Sequence, residues 1–138
     1  MTRLVKWLAP FLEHVDLAHT RRVGLYAGLA MLTWGLILLQ PFETFKAFGG
    51  IYSLMGQYAP ENVWAIAFIT AGASLFLGEL YRYRPLILAG AIGVMVGRLF
   101  IAILTGIYSQ WAATGVPDHA LWAMMALVAF LGALRDEP

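Results

Sequence analysis

The chain contains no cysteine in its 138 residues. That excludes a disulfide framework, thiol chemistry and cysteine-ligated metal. Charge is also scarce. Asp, Glu, Lys and Arg make up 12% of the chain, where a soluble domain carries about 25%. So little polar surface cannot coat a water-soluble body. The net charge is +1, with no clustered basic surface of the kind nucleic acid requires, so no nucleic-acid partner is expected.

Three histidines are present, His14, His19 and His119, all outside the long apolar runs. Bis-histidine haem ligation inside a span is therefore not expected. Glu13, His14, Asp16 and His19 read as a solvated polar face, and Asp118-His119 as a helix cap. No nucleophile–base arrangement or phosphate loop is present. No catalytic residue, metal or cofactor is expected, and the chain does not read as an enzyme. Arg3, Lys6, Glu13 and Asp16 interrupt the first residues, where a cleavable signal peptide would need an uncharged core.

What the chain has is apolar length. Hydrophobic residues make up 61%, and the mean hydropathy is +0.74. Four runs stand out, at about 23–39, 63–80, 86–107 and 120–134. A hydrocarbon core of about 30 Å needs about 20 apolar residues, so the last run must borrow neighbours. Lipid cannot satisfy backbone polar groups, which makes each run a helix. The expected fold is an all-α integral membrane four-helix bundle, a single domain over 1–138.

Basic residues orient it. Arg3, Lys6, Arg21, Arg22, Arg82, Arg84 and Arg135 fall on one side of a four-span arrangement, and Lys46 on the other. This asymmetry places both termini in the cytoplasm. Trp64, Tyr81, Tyr83, Tyr108 and Trp111 sit at span ends as interfacial anchors.

Three further elements are legible. Residues 1–20 place Leu4, Trp7, Leu8, Phe11, Leu12 and Val15 on one helical face. This predicts an amphipathic interfacial helix bent at Pro10, with Trp7 and Phe11 as anchors and Thr20 capping the next helix. The connection from Pro41 to Asn62 repeats Phe45, Phe48, Tyr52 and Met55 at helical spacing, with a break at Gly49-Gly50. It reads either as a helix on the outer leaflet or as a loop packed over the bundle. Pro117-Asp118 is a start signal for the last span, with Asp118 as N-cap.

Arg98 is the unusual residue. It lies about 22 Å from Tyr83 and about 15 Å from Tyr108 along one helix. An arginine at the membrane centre costs about 2.5–3.5 kcal/mol, so it needs a partner. Glu79, the acidic residue inside a span, lies about 15 Å lower along the membrane normal and is not expected to pair with it. At the depth of Arg98 lie Thr33, Trp34 and Thr70. Trp34 offers a cation–π contact, and Glu43 or Glu61 offers a carboxylate from the outer loop. The alternatives are that Arg98 snorkels outward or lines a water-filled pore or a subunit interface.

Small residues mark helix contacts. Gly90, Gly93 and Gly97 line one run, and Gly28 and Gly35 another. Such faces serve packing within the chain or association between copies.

Two stretches, Trp34-Gly35-Leu36-Ile37-Leu38-Leu39-Gln40-Pro41-Phe42 and Ala59-Pro60-Glu61-Asn62-Val63-Trp64, resemble small four-span membrane proteins of tailed bacteriophages and prophages, some of them called holin-like. The resemblance covers the first two spans. It implies a protein that self-associates in the bilayer and permeabilises it, with the lipid bilayer and further copies of itself as partners. The chain departs from holins in its short charged end, Arg135-Asp136-Glu137. An accessory subunit of a larger membrane complex, with other membrane proteins as partners, and a small-solute channel are the alternatives.

Overall fold

The computed structural model describes residues 17–40, 44–48, 50–109 and 115–135. Every described element is helical: α1 Leu17–Leu38, α2 Thr44–Phe48, α3 Gly50–Tyr58, α4 Glu61–Tyr81, α5 Arg84–Ser109 and α6 Gly115–Arg135. The four long helices form a closed ring. α1 packs on α4, α4 on α5, α5 on α6, and α6 returns to α1.

Among the described residues, α4, α5 and α6 are long and apolar enough to cross a membrane. The 21 residues of α4 span about 31 Å, close to the thickness of a hydrocarbon core. The chain is thus an all-helical integral membrane protein. α1 has the length, 22 residues, but Arg21 and Arg22 stand near one end of it and dilute its apolar character.

Several boundaries differ from the sequence reading. Residues 17–20 continue directly into α1, so Thr20 is inside a helix and not at its cap. It is buried, and a methyl group on Gly132 of α6 would fall 2.9 Å from its hydroxyl. The expected interfacial helix, with Trp7, Phe11 and Pro10, otherwise lies outside the described residues, as do Glu43 and Trp111. α6 starts at Gly115, which places Asp118 in its first turn and not at its N-cap. Pro117 is tolerated there because first-turn N–H groups have no partner in the helix. The extra turn supplies the length that the last apolar run lacked.

The described helices of the 41–62 connection, 44–48 and 50–58, fold over one end of the bundle. Gly50 takes a positive φ of 56°, which glycine adopts without steric cost, and this separates α2 from α3. Phe45, Ile51, Tyr52 and Leu54 pack against the core, and Met55 is fully buried. Burial pushes the Tyr52 phenol above its ordinary value. The Trp64 indole donates to the carbonyl of Met55 at 3.0 Å and stacks on Phe100 at 5.1 Å. Trp64 therefore clamps α3 to the bundle.

Glu61, in the first turn of α4, holds α2 in place. Its carboxylate accepts from the N–H groups of Thr44 at 2.9 Å and Phe45 at 3.3 Å. A carboxylate at a helix N-terminus satisfies orphan donors and complements the helix dipole. Glu61→Ala should cost about 0.5–2 kcal/mol, the range for a lost cap, confined to this end. Hydrogen exchange checks it. The amides of α2 should exchange faster while those of α4 hold, and unchanged exchange in α2 would refute the cap.

Glycine sets the closeness of the ring. Gly28 and Gly72 face each other's helices at α1–α4, and a methyl group on Gly28 would fall 2.7 Å from the backbone nitrogen of Phe76. Gly35 lies against Ile69 and Ala65. On α5, Gly90 lies against Leu75, Gly93 against Ala71, and Gly97 against the Met31 methyl. All five glycines singled out in the sequence thus lie at contacts within the chain. Small residues allow such approach where lipid offers no hydrophobic drive.

Candidate functional site

The buried stripe of α5 runs Ile87, Ala91, Val94, Arg98, Ile101. That spacing is a core stripe, with an arginine where an aliphatic residue would ordinarily sit. α6 buries His119, Ala123, Ala126, Ala129 and Ala133. The alanines bring α6 close to its neighbours, and His119 begins the same stripe. Arg98 is 2% exposed and His119 is 8% exposed.

The two meet. Arg98 Nη1 lies 3.2 Å from His119 Nδ1. A guanidinium only donates, so Nδ1 is the acceptor, and the imidazole is neutral with its proton on Nε2. Two indoles complete the enclosure. The guanidinium carbon is 5.1 Å from the Trp34 ring centroid and 5.5 Å from that of Trp122. Trp122 follows His119 by three residues, so both share one face of α6. Trp34 meets His119 edge-on at 5.6 Å, stacks with Tyr52 at 6.2 Å and tilts against Phe68 at 6.5 Å. α3 thereby roofs the site.

Among the described residues, the charge of Arg98 is accommodated without a contacting carboxylate. Cation–π contacts are worth about 2 kcal/mol or more when desolvated, and a hydrogen bond to a charged group about 1.5–3 kcal/mol. Together they meet or exceed the insertion cost of about 2.5–3.5 kcal/mol. The exposed carboxylate of Asp118 acts on both Arg98 and His119 through space. Arg98 Nε is buried and makes no hydrogen bond among the described residues.

The other sequence candidates are elsewhere. Thr33 is exposed and donates to the Leu29 carbonyl of its own helix at 2.9 Å. Thr70 is exposed on α4. Both have the right depth but the wrong azimuth, so neither faces Arg98. Glu61 is engaged by α2 and is not the carboxylate partner of Arg98. Tyr81, Tyr83 and Tyr108 are exposed at helix ends.

Glu79 is buried at the opposite end of the bundle from His119. It lies against Gly24 of α1. There it joins Thr20, Arg21, Arg22, Arg82 and Arg84 around a cavity of about 590 Å³. Arg21 donates to the Glu79 carbonyl at 3.2 Å and the Leu80 carbonyl at 3.3 Å, capping the C-terminus of α4.

The sequence reading passed over Trp122 and misplaced His119. Read as a cap, it is instead the first member of the small-residue stripe of α6. Its four- and seven-residue spacing to Ala123 and Ala126 was the available signal.

Comparison with protein-family models, with curated proteins and with solved structures finds no match to this chain.

Proposed function

We propose that this protein is a four-span component of a bacterial inner membrane, with both termini cytoplasmic, that acts as an accessory or assembly subunit of a larger membrane complex. In this reading α1 is the fourth span. The observation that supports it most is the enclosure of Arg98. Among the described residues, the arginine at membrane depth is enclosed by Trp34, His119 and Trp122 and is 2% exposed. That weighs against a solute channel through a single copy. The glycine faces also lie inside the chain, which removes them as a reason for self-association. The outer surface is aliphatic, with Leu36, Ile66, Val96, Ile103 and Met124 exposed, suited to lipid or to another membrane protein.

Holin-like permeabilisation is the second reading, and one observation favours it. α4 turns Ala67 and Thr70 outward, a small, weakly polar strip between exposed aliphatics. Purification in mild detergent with mass measurement separates the two. The subunit reading expects a second polypeptide in fixed stoichiometry and no dye leakage from vesicles. A homo-oligomer that releases dye would overturn it in favour of permeabilisation.

A further inference from the structure

We propose that the basic cavity at the Arg84 end of the bundle is a binding site for a phosphate-class anion, supplied either by a phospholipid headgroup of net negative charge or by free phosphate. Four arginines, Arg21, Arg22, Arg82 and Arg84, line it against a single carboxylate, Glu79. The excess positive charge is held by three separate elements: the start of α1, the α4–α5 turn and the start of α5. At about 590 Å³ the cavity has the size of a small-molecule site, within the usual range of about 300–1,000 Å³.

The arginines are not equivalent. Arg21 is already engaged by the α4 carbonyls. No ion pair joins Arg22, Arg82 or Arg84 to a carboxylate among the described residues. Arg84 Nε is buried and makes no hydrogen bond among those residues, an arrangement that is costly unless an acceptor arrives. Arg82 adopts a left-handed backbone conformation, φ 56° and ψ 37°, to end α4. For a residue with a Cβ this costs about 1–2 kcal/mol, and glycine or asparagine serves more cheaply. The arginine there brings a guanidinium to the cavity at a conformational cost. The α5 N-terminus opens on the same end, and its positive dipole adds to the field. Guanidinium forks match phosphate oxygens in pairs, and the resulting charge-assisted bonds are short and strong.

This inference goes beyond the subunit reading and does not depend on any protein partner. The test is thermal unfolding of the purified protein in nanodiscs at fixed ionic strength, because salt screens exposed charge. One arm compares phosphatidylcholine discs with discs that include phosphatidylglycerol. The other titrates inorganic phosphate against chloride in phosphatidylcholine discs. A ligand that binds only the folded state raises Tm. A rise in the first arm alone identifies the lipid headgroup, and a rise in the second identifies free phosphate.

Arg84→Gln should weaken the apparent affinity about tenfold, the equivalent of about 1.4 kcal/mol. Arg22→Gln, on an exposed helical position, should weaken it without disturbing the core. Lys46→Gln, on α2 at the far end, should leave it unchanged. The proposal fails if neither arm raises Tm. It fails equally if both arginine variants respond like the parent protein, since the effect is then one of general surface charge.

Discussion

His119→Leu should destabilise the protein by about 2–3 kcal/mol, the scale of a lost hydrogen bond to a charged group, and a second change, Arg98→Leu, should recover most of that loss. In the single variant a guanidinium stays buried, held by Trp34 and Trp122 alone and without its nitrogen acceptor. Breaking a buried polar pair at one partner is far more damaging than removing both. In the double variant two leucines of similar volume occupy a site already walled by rings. Arg98→Leu alone should fall between, since it frees His119 but removes a desolvated charge. Reversible unfolding in mild detergent supplies all four corners of the cycle. If the double variant is as unstable as His119→Leu, Arg98 is not the source of the penalty. If Arg98→Leu is stable yet abolishes assembly with a co-purifying partner, the enclosed arginine has a role beyond stability.

Enlarging the glycines at the α4 contacts should damage the fold on a similar scale. A methyl group on Gly72 would overlap the backbone of Leu32, and one on Gly90 the backbone of Leu75. Backbone atoms cannot rotate aside as a flexible side chain can. Gly72→Ala and Gly90→Ala should each cost about 1–3 kcal/mol through overpacking, and valine at either site more. Gly56, in α3, is the internal control. Among the described residues a methyl group there meets the Phe45 ring alone, at 3.4 Å, and alanine gains up to about 1 kcal/mol of helix propensity. Gly56→Ala should therefore be near neutral or stabilising. Equal losses at all three positions would mean that these glycines act through flexibility and not through close packing.

How much of this was legible in the sequence depends on direction. Position along a helix follows from the 1.5 Å rise, and so the depth of Arg98 and its separation from Glu79 were available before any contact was known. The two residues indeed have different surroundings: an aromatic enclosure for one, the basic cavity for the other. Rotation about the helix axis was harder to read. Thr33 and Thr70 share the depth of Arg98 but point outward, whereas Trp34, one residue beyond Thr33, turns about 100° further round and reaches the guanidinium. His119 was hidden by a boundary. With α6 begun at 120 it is a loop residue; with α6 begun at Gly115 it is a core residue one turn into the helix.

The sequence by itself determined the solvent and the secondary structure. Long apolar runs with few charges belong in lipid, and lipid leaves helix as the means of satisfying each backbone. The break at Gly49-Gly50 was readable for a local reason, the conformational freedom of glycine. Tertiary structure alone decided which faces meet. It turned the glycines of α1, α4 and α5 toward one another, brought α6 back to α1, and put a histidine beside an arginine 21 residues away. It also gathered arginines from three elements around one cavity. These outcomes depend on the mutual rotation of packed helices, which is set by the shape of the whole interface and is encoded in no single segment of the chain.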